Sequence, residues 1–106
     1  MIHGLRTACM LVLAASIAVP IFAQAPGADT YKAKCAMCHG ADGLAATPMA
    51  KNLKVLSFTD PAMIKATDAQ FIASTKNGKG KMPAYTGKLT DAQIKDAISF
   101  IRTLQK

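Results

Sequence analysis

The pentapeptide Cys35-Ala36-Met37-Cys38-His39 constrains this chain more than any other feature. Two thiols three residues apart fall on one side of a helical turn, and an imidazole follows at once. This is the pattern by which haem is attached covalently: each thiol forms a thioether to one vinyl group, and the histidine turns toward the iron. Two other chemistries use paired cysteines. A thioredoxin-like dithiol should follow a strand in a βαβ unit, and no segment here alternates with a period of two. A tetrahedral zinc site needs one or two further ligands, yet the remaining histidine is His3, far upstream, and no second cysteine pair exists.

His3 and Arg6 precede an almost unbroken apolar run from Ala8 to Val19, which ends in Pro20 and small residues. That arrangement reads as a secretory signal peptide covering residues 1–23, with a mature domain over 24–106. Ala23 and Ala25 bracket Gln24, so cleavage is possible up to residue 25. The run is shorter than the roughly 20 residues a membrane-spanning helix needs, and nothing later resembles one. A soluble protein of the periplasm or another export compartment is expected. Cys9 then leaves with the signal, and Cys35 and Cys38 meet an oxidising environment in which they either pair or take up a cofactor.

A mature domain of about 80 residues is near the size at which an apolar core alone gives little net stability, so a covalent prosthetic group has a structural use too. Thirteen Lys and Arg stand against six acidic residues, all Asp. Losing the signal removes only Arg6, which leaves twelve against six, a balance of +6. No helix face interleaves basic and aromatic residues, and export argues against nucleic acid, so the charge points to redox protein partners with acidic docking surfaces and to transient contact with a membrane complex.

Helical signals dominate the rest. Asp29 is expected to cap a helix from Thr30 to about Cys38. Gly40 to Lys54 reads as an irregular loop, followed by a short apolar patch from Val55 to Phe58. Asp60-Pro61 opens a short helix to about Lys65. Thr67 with Gln70 and Thr90 with Gln93 have the spacing of capping boxes, the first helix stopping at Asn77-Gly78. The second carries Ile94, Ala97, Ile98, Ile101 and Leu104 at helical spacing. Gly78 to Lys88 is a Gly- and Lys-rich loop holding Met82. The expected fold is all-α, with about four short helices.

A haem iron has a second axial position, and a thioether there favours the reduced state. Met37 lies inside the attachment motif and cannot reach across. Met63 occupies an apolar position of a short helix and reads as core. From spacing alone, Met49 and Met82 both stay open, although Pro83 restricts the backbone of Met82 in a manner suited to presenting a ligand.

Gly27, Tyr31 and Cys35 at four-residue intervals, the motif Cys35 to His39, the segment Lys81-Met82-Pro83-Ala84-Tyr85 and the helix from Leu89 to Leu104 together resemble the class I c-type cytochromes, especially the small monohaem bacterial and photosynthetic forms. The resemblance spans nearly the whole mature chain. It implies one haem c held by Cys35 and Cys38, with His39 and Met82 as axial ligands of the iron. It also implies a fold in which the N- and C-terminal helices cross, with Tyr31 and Phe100 near the contact. Pro48 matches the family proline whose carbonyl accepts from the other nitrogen of the axial histidine. The chain has no Trp, whereas some relatives place one near a haem propionate; Asn52, Lys54 and Tyr85 are the candidates in its place.

With both axial positions filled, no site is open to a substrate. The function implied is one-electron transfer between redox proteins, with no small-molecule substrate and no catalysis. Lys76, Lys79, Lys81 and Lys88 flank the Met82 loop and suit docking to acidic partners. The rival reading, a haem enzyme or gas sensor, requires that Met82 not ligate and the distal side stay open.

Overall fold

A computed structural model describes residues 13–17 and 25–106. The expected signal peptide and its cleavage site fall almost wholly outside the described residues. Six helices make up the described part: α1 (Ala28–Lys34), α2 (Ala36–His39), α3 (Pro48–Leu53), α4 (Pro61–Lys65), α5 (Asp68–Asn77) and α6 (Asp91–Leu104). Two isolated β-bridges, and no strand, are found among these residues.

Local chemistry accounts for most boundaries. Thr67 and Thr90 each accept from the backbone N–H three residues on, and Gln70 and Gln93 return the bond, so both capping boxes form. The Asp60 side chain accepts from the Ala62 N–H ahead of α4, with Pro61 at the first helical position.

Two expectations are corrected, and together they turn about four helices into six. Gly27, not Asp29, stands at the N-cap of the first helix, which breaks at Cys35 and resumes as α2. Cys35 still donates to the Tyr31 carbonyl but departs from helical dihedrals, with φ −117°. The segment read as loop contains α3, because Thr47 caps Ala50 and Pro48 starts the turn. Thr47-Pro48 is the same cap-and-proline signal as Asp60-Pro61.

Helix α6 packs on α1 and on α5. Its buried stripe of Ile94, Ala97, Ile98 and Ile101 meets Tyr31, Phe58 and Phe71 in one apolar cluster. Tyr31 is 1% exposed and Ile94 1%, each burial contributing about 2 kcal/mol. The Tyr31 hydroxyl donates to the Gly40 carbonyl at 2.6 Å. Burial raises its pKa above the ordinary tyrosine value, so it stays a donor. Tyr31 and Phe100 lie 5.2 Å apart, centroid to centroid, as the resemblance implied. The close approach of α1 to α6 depends on Gly27, where an added methyl group would overlap the Asp96 carbonyl.

Candidate haem-binding site

Beside this cluster lies a cavity of about 980 Å³, at the upper end of the range for pockets that enclose a bound organic molecule. One wall comes from the attachment motif through Cys35, Cys38 and His39; another comes from the loop after α5 through Lys79, Lys81, Met82, Pro83 and Tyr85. The floor is the apolar flank of the core, including Phe58, Phe71, Ile98 and Ile101. Sequence reasoning placed Cys35, Cys38, His39 and Met82 at one site, and the fold brings all four to the same cavity.

The two thiols are free rather than paired with each other. Burial, and secondarily Cys38, push the Cys35 thiol up to about 11. A redox-active dithiol works as a thiolate with a lowered pKa, so this environment opposes that chemistry. Nothing in it opposes conversion to a neutral thioether, which is indifferent to desolvation. Burial also lowers the pKa of His39 below its usual value, favouring the neutral ring that can donate a lone pair to a metal. Its Nδ1 is buried without a hydrogen-bond partner. No hydrogen bond joins it to the Pro48 carbonyl that the resemblance pointed to, and Pro48 starts α3.

The methionines separate clearly. Met37 is 73% and Met49 41% exposed, and neither lines the cavity, so Met49 drops out as a ligand candidate. Met63 and Met82 do line it. Met63 packs against the core cluster from α4. Met82 ends a tight turn in which Lys79 and Met82 exchange backbone hydrogen bonds of 3.1 and 2.9 Å. Tyr85 anchors that loop twice: its N–H donates to the Thr75 carbonyl at 2.9 Å, and its hydroxyl donates to the Lys34 carbonyl at 2.9 Å.

Five lysines, Lys34, Lys54, Lys65, Lys79 and Lys81, line the cavity, and no carboxylate does. Lys76 is engaged elsewhere, in a 3.2 Å ion pair with Asp91. A large apolar cavity, two unpaired thiols at its wall, a neutral buried imidazole and a cationic lining suit a flat macrocycle bearing carboxylates.

Residues 22–101 match the family described as cytochrome c oxidase, cbb3-type, subunit III. Cytochrome c6 of Leptolyngbya boryana is 38% identical over 77 residues, which are 73% of this chain and 87% of that protein. This chain belongs to the class I c-type cytochromes. A solved c-type cytochrome, KustC0563, superposes with a TM-score of 0.69 at 28% identity, covering 76% of this chain and 98% of that one. The cytochrome c subunit of a quinone alcohol dehydrogenase from Gluconacetobacter polyoxogenes is 33% identical over 88 residues, although the match spans 19% of that longer protein. The cytochrome carries one covalently bound haem c and is an electron carrier, not an enzyme. Among the described residues, no helix is long and apolar enough to cross a membrane.

Sequence reasoning missed Phe58 as part of the site. It lies flat on His39, with ring centroids 4.7 Å apart and planes 18° from parallel. An aromatic ring ending an apolar patch, between a Gly-rich loop and a capped helix, was its only signal in the sequence.

Proposed function

We propose that this cytochrome is an exported, soluble one-electron carrier whose haem is attached at Cys35 and Cys38 and ligated by His39 and Met82. The observation that carries this reading is that Cys35, Cys38 and His39 of the motif and Met82, far along the chain, line one cavity. The iron supplies a one-electron change between ferric and ferrous states when the group is bound.

The protein's residues account for the rest. Cys35 and Cys38 fix the macrocycle at one wall, so the ring is not lost between electron transfers. His39 would enter as a neutral donor, and a Met82 thioether on the iron would favour the ferrous state and raise the potential. The hydrogen-bonded turn at Lys79–Met82 and the Tyr85 anchor restrain the backbone that would present the Met82 sulfur. Apolar lining excludes water from the ring. Lys34, Lys54, Lys65, Lys79 and Lys81 leave the rim positive, which suits brief docking to acidic patches on redox partners. The apolar run from Ala8 to Val19 supports delivery to a periplasm, where the haem is attached.

The test is the visible spectrum of the purified protein in both oxidation states. A weak long-wavelength ferric band reporting sulfur on iron, lost in Met82→Ala, is expected. Absence of that band, with carbon monoxide binding to the reduced protein, would overturn the closed site and favour an open-site haem enzyme or sensor.

A further inference from the structure

Helix α4 forms part of the cavity wall with little support of its own. Its five residues are too few to stand as an isolated helix, and among the described elements it packs on no other helix. Pro61, Ala62, Ile64 and Lys65 are exposed, and only Met63 and the following Ala66 reach the core cluster. Yet Ala62, Met63, Lys65 and Ala66, with Phe58 just ahead of the helix, all line the cavity. A segment so placed keeps its position only if something outside it holds it.

The hold comes from the end of α6. Carbonyls at the end of a helix lack partners within it, and here they are met by side chains from another helix. Arg102 donates to the Ala66 carbonyl at 2.6 Å. Gln105 Nε2 donates to the Phe58 carbonyl at 2.9 Å and reaches the Met63 carbonyl at 3.4 Å. Gln105 Oε1 accepts from Arg102 Nη1 at 3.0 Å. That bond fixes which way the amide faces, because a guanidinium only donates: the oxygen must turn to Arg102 and the NH2 group to the two carbonyls. Arg102 is itself held by Asp68 at 2.8 Å and lies 4.6 Å over the Phe71 ring. The two side chains make one clasp that reaches the cavity wall at three carbonyls.

We propose that Gln105, oriented by Arg102, is a positioning residue for the electron carrier: it holds the segment from Phe58 to Ala66 against the haem cavity and so limits water at the ring. Solvent access around a metal group is one of a protein's controls on its potential. A ferric centre carries one more positive charge than a ferrous one, so water admitted past a loosened wall favours the ferric form and lowers the potential. The proposal rests on the chain being a haem electron carrier and is independent of which side chain takes the sixth position.

The experiment measures the midpoint potential and native-state amide hydrogen exchange of the holoprotein in the parent, Gln105→Met, Gln105→Glu and Ser99→Gly. Methionine keeps the bulk of the side chain without either polar group, and adds no charge. Glutamate keeps the acceptor for Arg102 and loses the donor to the wall. Ser99 is exposed on the same helix, so Ser99→Gly weakens α6 without touching the clasp. The expected result is a lower potential in both Gln105 variants and the parent potential in Ser99→Gly. The Ile64 and Ala66 amides, which close the turns of α4, should exchange about fivefold faster in both Gln105 variants, as the loss of one net hydrogen bond predicts. The parent potential in Gln105→Met overturns the proposal, and so does an equal fall in Ser99→Gly, which would trace the change to stability alone. Parent exchange rates at Ile64 and Ala66 in both Gln105 variants overturn it as well. In the unaltered protein, dipolar contacts are expected between the Gln105 side-chain amide protons and the backbone protons beside the Phe58 and Met63 carbonyls; their absence overturns the proposal even where neither Gln105 variant folds.

Discussion

The crossing of α1 and α6 and the loop that carries Met82 are built on different physical terms. At the crossing, Tyr31, Ile94, Ala97 and Ile98 are each at most 4% exposed, and two helices touch where Gly27 lets them. From Gly78 to Leu89 no residue is buried, and order comes from hydrogen bonds such as Thr86 Oγ1 to the Lys76 carbonyl at 2.7 Å. The first region packs against protein. The second lines a cavity and is completed by what the cavity holds, so the two regions rest on different contacts.

The widest break in that comparison is Cys35→Ser combined with Cys38→Ser, made with haem-attachment machinery present. No haem should survive a denaturing gel, and the cavity walls lose the group they enclose. A chain of this size has little core to spare, so circular dichroism should show no cooperative thermal transition. A melt like that of the parent would mean that the helical crossing sustains the whole fold alone.

Gly27→Ala strikes the crossing directly. The added methyl meets backbone rather than a flexible side chain, at φ +86°, so nothing nearby yields cheaply. A loss of about 3 kcal/mol or more is expected in denaturant unfolding. Gly80→Ala gives the contrast in the Met82 loop, where φ is +56° but nothing lies within 4 Å of an added Cβ. Only the left-handed backbone penalty of about 1 kcal/mol should appear. Equal losses at the two glycines would remove the distinction between the regions.

The same division separates what the sequence revealed from what it hid. Helices α4, α5 and α6 were legible because Asp60, Thr67 and Thr90 satisfy their own first-turn N–H groups through local bonds. The attachment motif was legible because thioether chemistry needs a fixed spacing. Helix α3 was hidden by the Gly- and Ala-rich surroundings of Thr47-Pro48. Elimination of Met49 needed three-dimensional burial, and stacking of Phe58 on His39 joins residues that no periodicity connects. Lys54 takes a left-handed φ of 55° without being glycine, which no composition rule signals.

Arg102 ties the crossing to α4 and α5. Its guanidinium donates to Asp68 at 2.8 Å and to the Ala66 carbonyl at 2.6 Å, and lies 4.6 Å over the Phe71 ring. Arg102→Met should cost about 2 kcal/mol in urea unfolding, combining a lost charge-assisted bond with lost contact to Phe71. Asp68→Asn tests the ion pair alone. That carboxylate is mostly exposed, so about 0.5 kcal/mol or less is expected. A larger cost for Asp68→Asn than for Arg102→Met would shift the weight from the carbonyl and ring contacts to the surface pair.

Tyr85→Phe gives a small stability change and the most specific functional one. The variant keeps the ring against the cavity and deletes only the hydroxyl that donates to Lys34 across the gap between the Met82 loop and α1. Burial raises the Tyr85 pKa, so the group is a neutral donor and its removal carries no charge effect at neutral pH. A net hydrogen bond in a half-exposed place contributes about 1 kcal/mol, so global unfolding should move only slightly. Because the bond restrains the loop rather than the core, its loss should instead appear in the sulfur-to-iron band of the ferric protein, which should fade at a lower temperature than in the parent while the helical signal persists. Simultaneous loss of band and helix, at the parent temperature, would show that Tyr85 does not restrain Met82 and that the loop depends on the haem alone.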